Sequence, residues 1–183
     1  MQQNNFLLNN VVGSMDSQSK GTILRSIAIF TAIELCGSLL SGRTGSGTTK
    51  TNFLNFCKSK YMPERYKIFA ELLYTIFRNG VAHSYIPKGA AILSNDTKGE
   101  EMHLKCCDDG LFIYVPKLAD DVTEAIKNFY NDLKRTPDLK SKYKAVISEL
   151  DNVGKSEYEN YVRNNNITTE HIAIKGDIIT GIL

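Results

Sequence analysis

The stretch ILRSIAIFTAIELCGSLL, residues 23–40, decides how this chain folds. Its apolar residues occur on nearly every side of a helix, which is typical of a helix at the centre of a bundle. A membrane span is the competing interpretation for so long an apolar stretch. The stretch contains the charged residues Arg25 and Glu34, which would be costly in a bilayer. We therefore predict a buried helix of a soluble protein from about Thr22 to about Ser41, and no membrane association.

The size and charge of the chain limit the classes of protein to which it can belong. A chain of 183 residues, of which 42% are hydrophobic, is long enough for one sizeable core and short for two. We therefore expect a single domain over residues 1–183. The formal net charge of +2 is far from that of a protein that binds nucleic acid by charge alone, so any contact with a polyanion must be local.

The cysteines and the first residues indicate the compartment. Cys36, Cys57, Cys106 and Cys107 show no C-x-x-C spacing, which suits neither a disulfide framework nor a zinc site. We expect a reducing, cytoplasmic environment and neither a metal nor a cofactor. The start of the chain has no basic n-region and no long apolar h-region, so we expect a loosely held arm over about residues 1–20 rather than a signal peptide.

The segment SGRTGSGTTK, residues 41–50, ends the first helix as a flexible, glycine-rich loop. A phosphate-binding P-loop is the alternative, because Gly42 and Gly47 have its separation. Two threonines stand between the last glycine and Lys50, however, and the preceding element is a helix. We therefore interpret the segment as a linker.

Two more helices follow the loop. We predict a short one at about Thr51 to Tyr61 and a third that begins near Pro63, which suits a first helical turn. The third helix carries an apolar stripe whose spacing predicts a core-facing surface, formed by Phe69, Leu72, Leu73 and Ile76.

The second half of the chain mixes strands and helices. The segments MHLKCC (102–107) and LFIYV (111–115) flank a turn sequence and predict a β-hairpin, with AAIL (90–93) as a candidate third strand. We expect a fourth helix from about Ala119 to Arg135 and a fifth from about Leu139 to Leu150, which the segment SEYENYVRNN extends. The tail, about residues 167–183, has the composition of a strand or hairpin. The predicted fold class is mainly α, a helical bundle with a small β-hairpin.

The third helix ends in RNGVAHSY, residues 78–85. His83 follows Ile76 by seven residues, which places it on the face of the apolar stripe, with Asn79 one helical turn before it. Arg78 lies about 140° from His83, but its side chain is long and Gly80 permits a local distortion. The heads of Arg78 and His83 can therefore meet over one polar pocket. The alternative is an ordinary helix end, where His83 interacts with the dipole and Gly80 is the cap.

The other two histidines, His103 and His171, have no neighbours at metal-ligand spacing. We expect both at surface or edge positions.

Glu34 occupies a place on the first helix where a core residue belongs, since it shares a stripe with apolar side chains. A buried charge needs a partner. Arg78 is the leading candidate, and Arg25, Arg43 or solvent at a groove would also satisfy the carboxylate.

The segment RNGVAHSY, after the apolar helix FAELLYTIF, resembles the R-x(4 to 6)-H motif of the HEPN superfamily, the higher eukaryote and prokaryote nucleotide-binding proteins. The resemblance covers roughly Thr22 to Pro87 and includes a long first helix, a shorter second one and the motif-bearing third. In this arrangement the chain is similar to HEPN-like domains of uncharacterised bacterial proteins. The resemblance implies a small helical bundle that forms a homodimer, binds RNA or a nucleotide, and needs no metal.

Two functional interpretations follow from the resemblance. In the first, the chain is a metal-independent endoribonuclease in which Arg78 stabilises charge on the phosphate, His83 transfers protons and Asn79 orients either group. One motif has one histidine, so the second proton-transfer group comes from the partner protomer, and Glu34 holds Arg78 in place. In the second, the chain is a non-catalytic module that binds a nucleotide or a protein partner, and Arg78 and His83 stabilise the helix end.

Overall fold

The computed structural model describes residues 6–17, 22–45, 47–84, 89 and 91–168. Within these ranges the α-helices are α1 (Gly13–Ser17), α2 (Thr22–Ser41), α3 (Thr49–Cys57), α4 (Arg65–Leu72), α5 (Asn79–Ser84), α6 (Val115–Arg135) and α7 (Pro137–Asn164). The π-helical segments are Leu7–Val12 and Leu73–Arg78, and Thr97–Met102 is a 3-10 helix. The strands are β1 (Ala91–Ser94), β2 (Lys105–Cys107) and β3 (Gly110–Tyr114). The prediction of a mainly helical fold with a small β element is confirmed.

Helix α2 lies at the centre of the fold, and its bounds are those predicted from the sequence. It packs against α3, α6 and α7, and the side chains of Ile29, Ile33 and Cys36 are fully buried. The helix is long and apolar enough to cross a membrane, and 50% of its most apolar window is buried inside the protein. Neighbouring helices cover it from several directions, which accounts for the apolar residues on nearly all of its sides.

Helices α2 and α3 approach each other closely at Gly37. A Cβ atom on Gly37 would overlap the backbone of Asn52, so only glycine fits there. Asn52 is buried, and its side-chain nitrogen donates to Ser38 Oγ at 2.9 Å and to the Arg43 carbonyl at 3.0 Å. Ser41 Oγ donates to Asn52 Oδ1 at 2.8 Å. One buried amide therefore fixes the start of the glycine-rich loop.

The glycine-rich loop adopts a backbone that needs glycine. Gly42, Gly45 and Gly47 have φ angles of 73°, 98° and 90°, in a region that other residues avoid. The element before the loop is α2, whereas a P-loop follows a strand. The linker interpretation therefore fits, and α3 begins and ends a few residues earlier than predicted.

The predicted third helix is one continuous helical path with a π-helical segment inside it. Helix α4 leads into Leu73–Arg78, which leads into α5. The buried stripe lies mostly one residue away from the predicted one: its fully buried members are Tyr66, Ala70, Leu73 and Phe77, while Phe69, Leu72 and Ile76 are partly buried against the same core. Tyr66 takes a core position because its hydroxyl finds hydrogen-bond partners inside the protein.

The predicted hairpin and the candidate third strand are both present. Strands β2 and β3 are antiparallel, with Cys107 opposite Gly110, and β1 pairs with β3 in parallel, so β3 lies in the middle. The first predicted strand is shortened to its last three residues. The cause is local, because Met102 ends the 3-10 helix and Leu104 has a positive φ of 59°.

The two C-terminal helices are longer than predicted. Helix α6 begins at Val115, because Pro116 occupies its first turn, where a missing amide hydrogen breaks no helical bond. Helix α7 is a single element of 28 residues that includes the predicted extension.

The N-terminal segment requires a correction. Residues 6–17 do not form the loosely held arm that we predicted, since Leu7, Val12 and Met15 are 2%, 7% and 0% exposed. They belong to the core, where this segment contacts α2 and α6. Of the predicted β tail, residues 167 and 168 follow α7 without forming a strand, and residues 169–183 lie outside the described residues.

The close approach of α2 and α3 can be tested at Gly37. We predict that Gly37→Ala lowers the free energy of unfolding by about 2 kcal/mol, because overpacking of a core contact typically costs about 1–3 kcal/mol. Gly154→Ala is the matched control, since a Cβ there meets nothing within 4 Å in helix α7. It should stabilise the protein by up to about 1 kcal/mol, the helix propensity difference. Urea unfolding measures both, and equal effects would refute the close approach.

Candidate functional site

Three residues of the RNGVAHSY segment line an open pocket of about 560 Å³. Arg78, Asn79 and His83 all contribute to its wall. The remaining lining residues come from the glycine-rich loop, the start of α3 and the π-helical segment, and they are Gly47, Thr49, Lys50 and Tyr74. Arg78 and His83 therefore line the same pocket.

The side chain of His83 is exposed and lines the pocket. Its spacing from Ile76 predicts a direction either inward or into a cleft, and the structure does not bury it in the core. The π-helical segment Leu73–Arg78 contains two members of the buried stripe, Leu73 and Phe77, and the stripe continues at Val81. His83 follows Val81 by two residues, about 200° around the helix, so it lies away from the core. The imidazole is therefore accessible at the edge of the pocket.

The predicted ion pair between Glu34 and Arg78 is present. Arg78 Nε and Nη2 donate to Glu34 Oε2 at 3.0 Å and 2.6 Å. The two side chains are only 19% and 23% exposed, so the pair is mostly shielded from solvent. Arg78 Nη1 also donates to Asn79 Oδ1 at 3.3 Å, and the guanidinium carbon lies 5.7 Å from the centre of the Tyr74 ring. Three neighbouring side chains thus fix one guanidinium at the pocket.

The pocket is suited to an anion. Its lining residues include the cations Lys50 and Arg78, and none of the seven is a carboxylate. Glu34 pairs with Arg78 without being one of the lining residues. Lys50 has a partner of its own, Glu71, at 2.8 Å, but these side chains are 52% and 56% exposed. Such exposed pairs contribute little and dissociate easily.

Lys50 and Tyr74 are the site residues that sequence reasoning did not identify. Lys50 was considered only as a P-loop lysine, and Tyr74 stood between apolar neighbours on a predicted core helix. One feature of the sequence could have identified the loop. Residues 41–50 contain two cations and no acidic residue, which favours a surface for anions.

His103 belongs to a separate polar cluster. Its Nδ1 accepts from the Tyr114 backbone N–H at 3.1 Å, so in the neutral ring Nε2 carries the hydrogen and donates to the Tyr66 hydroxyl at 2.8 Å. That hydroxyl donates to Asp121 Oδ2 at 2.8 Å, and Arg65 also binds Asp121. Burial, followed by the charge of Arg65, lowers the pKa of His103 to about 4. Both ring nitrogens are engaged, so His103 is a structural histidine beside the edge strand β2; His171 lies outside the described residues.

The described part of the chain contains no cluster of three or more His, Cys, Asp or Glu residues that could hold a metal ion. Cys36 and Cys57 are buried free thiols, and burial raises the pKa of each. Cys106 is exposed and Cys107 donates to the Gly110 carbonyl, within the hairpin. Buried thiols of this kind are inert and act as small apolar side chains.

No family model matches this chain, and comparisons with curated proteins and with solved structures find no match. Inference about function therefore depends on the pocket itself and on the resemblance of RNGVAHSY to a short motif.

The energetic link between Glu34 and Arg78 can be measured with a double-mutant cycle of Glu34→Gln and Arg78→Met. We predict a coupling energy of about 1–3 kcal/mol, above that of an exposed pair, because the partners are mostly shielded from water. Asp151 and Lys155 form the control pair, at 2.6 Å and with side chains 50% and 66% exposed. Their coupling should be about 0.3–0.5 kcal/mol. If urea unfolding gave the same coupling for both pairs, Glu34 would not anchor Arg78.

Proposed function

We propose that this chain is a metal-independent endoribonuclease of the HEPN type that acts as a homodimer, with Arg78 and His83 at a composite site. One observation supports the proposal above all: an accessible imidazole and a fixed guanidinium line the same pocket, and the described lining residues include no carboxylate. An imidazole transfers protons near neutral pH, and a guanidinium binds phosphate oxygens. RNA cleavage without a metal requires groups of both kinds.

The proposed reaction is an internal transesterification. His83 takes the proton of the ribose 2′-hydroxyl, and the 2′-oxygen forms a bond to phosphorus while the bond from phosphorus to the 5′-oxygen breaks. The leaving 5′-oxygen receives a proton from a second imidazole. Arg78 stabilises the extra negative charge on the phosphate in the transition state. Asn79, which accepts from Arg78 through its Oδ1, keeps its amide hydrogens for the phosphate or the imidazole.

The dimer supplies the second imidazole. Among the described residues that line the pocket of one chain there is a single histidine, and His103 is held away by its own hydrogen bonds. We propose that His83 of the partner subunit completes the site. Two-fold symmetric dimers are the commonest assemblies, and such a dimer would bring two copies of one segment together at its axis.

The reaction is tested by cleavage of single-stranded RNA in the presence of EDTA. We predict that His83→Ala abolishes cleavage, and that the melting temperature stays near that of the unchanged protein because His83 is exposed. Arg78→Ala should reduce kcat by about 10²–10³, the effect of losing one fixed donor to the transition state. Tyr161→Ala, at a residue 64% exposed on α7, is the control and should cleave normally.

Arg78→Ala leaves Glu34 unpaired, so a loss of activity could come from a loss of stability. The double variant Glu34→Gln with Arg78→Met leaves no unpaired charge and therefore tests the chemical role of Arg78 separately. This variant should be folded and inactive. Cleavage that survives His83→Ala, or an unchanged protein that cleaves none of a varied RNA panel, would rule out the proposed reaction.

The composite site is tested by mixing the unchanged protein with His83→Ala protein under conditions in which protomers exchange. If each site needs both imidazoles, only dimers of two unchanged chains are active, and activity falls with the square of their fraction. If each chain acts alone, activity falls in direct proportion. A linear decrease, or a monomer by sedimentation at micromolar concentration, would refute the composite site.

A non-catalytic module that binds a nucleotide or a protein partner is the second candidate. The observation that favours it is that Glu34 already occupies two donors of Arg78. In that case His83, in the last turn of α5, stabilises a helix end, and His83→Ala lowers the free energy of unfolding by about 1 kcal/mol. The melting curves of the cleavage experiment distinguish the two candidates.

A further inference from the structure

The pocket contains two side chains that the proposed reaction does not use, Lys50 and Tyr74. They come from different parts of the chain, since Lys50 lies at the start of α3 and Tyr74 in the π-helical segment. Their chemistry is complementary: one is a cation on a flexible stem and the other is a flat aromatic ring. A ligand that satisfies both must carry a negative charge and a planar group.

Lys50 is available to an anionic ligand. Its ion pair with Glu71 is 2.8 Å long, and both side chains are more than half exposed. Glu71 also lies 3.9 Å from Lys58, so it keeps a cationic neighbour when Lys50 moves away. Exchange of the carboxylate for a phosphate therefore has a small free-energy cost.

Tyr74 is a fixed ring at the wall of the pocket. Its ring centre lies 5.4 Å from that of Phe53 in an edge-on arrangement, and Phe53 is fully buried. The guanidinium of Arg78 makes a cation–π contact with the ring, 5.7 Å from its centre. A ring that is held from two directions loses little further freedom when a base stacks on it.

We infer that the pocket binds one unpaired nucleotide beside the phosphate that is cleaved, with its base against Tyr74 and an adjacent phosphate on Lys50. The inference rests on the proposed function for the identity of the polymer. Stacking on an aromatic ring is how proteins commonly hold single-stranded nucleic acid, and it tolerates any base because every base has a flat face. A base in a duplex is paired and stacked, so the pocket selects single-stranded RNA.

Binding can be measured without cleavage by using a labelled oligonucleotide in which every ribose is 2′-O-methylated, since the attacking hydroxyl is then missing. Fluorescence anisotropy gives the affinity of the full chain for this single strand and for the same strand in a duplex. We expect the single strand to bind about tenfold or more tightly than the duplex. Equal or tighter binding of the duplex would overturn the inference.

The phosphate contact is tested by Lys50→Gln, with Lys155→Gln as the matched control. Lys155 also lies in an exposed pair with a carboxylate, at 2.6 Å from Asp151, but is not a lining residue of the pocket. Each phosphate contact on a single strand contributes about 0.7 to the slope of log affinity against log salt concentration. Lys50→Gln should lower this slope by about that amount and Lys155→Gln should not. The same slope for both variants would refute the phosphate contact.

The base contact is tested by Tyr74→Leu, with Tyr161→Leu as the control for loss of a tyrosine elsewhere. Tyr74→Leu should weaken binding of the single strand by about tenfold, the order of one lost stacking contact. A second measurement leaves the protein unchanged: an oligonucleotide of the same length without bases should bind about tenfold more weakly than the normal strand. Equal affinity of the two oligonucleotides would overturn the base contact even if Tyr74→Leu failed to fold.

The outcomes separate this inference from the proposed function. If binding depends on Lys50 and Tyr74 but the protein cleaves no RNA, the proposed ribonuclease activity is refuted and the proposed nucleotide-binding site is supported. Cleavage of single strands that is unchanged in kcat and KM by Lys50→Gln and Tyr74→Leu would keep the ribonuclease and refute the site.

Discussion

The ion pair between Glu34 and Arg78 connects the core of this protein to its pocket. Glu34 lies on α2, around which the other helices pack, and a carboxylate in that position is destabilising unless it is paired. Arg78 provides the partner with two donors, and this fixes the π-helical segment relative to α2. Packing in the core therefore sets the positions of the side chains that line the pocket.

A second core contact decides which loop reaches the pocket. Gly37 lets α3 approach α2, and the buried amide of Asn52 then bonds to the end of α2 and to the loop after it. The loop crosses from α2 to α3 within a few residues, so Lys50 at the start of α3 comes to the same wall as Arg78. Neither Gly37 nor Asn52 lines the pocket, yet their contacts hold the loop that leads to Lys50.

The sequence was sufficient where the pattern depended on one residue type or one spacing. The bounds of α2 and the hairpin follow from apolar runs and turn residues. The need to neutralise a buried charge made Arg78 the leading partner of Glu34 beside Arg25, Arg43 or solvent, and the structure shows Arg78. The sequence did not predict burial that depends on contacts between residues far apart along the chain. Tyr66 is a core residue only because His103 and Asp121 satisfy its hydroxyl, and omitting it shifted most of the predicted stripe by one residue.

The exposure of His83 follows from the same shift of the stripe. The buried face passes through Phe77 and Val81 rather than Ile76, so a residue seven positions after Ile76 lies off the core face. The N-terminal segment was misjudged for a different reason. Its apolar residues recur at helical spacing, a signal that the absence of a signal peptide does not cancel, and Leu7, Val12 and Met15 are buried where the segment contacts α2 and α6.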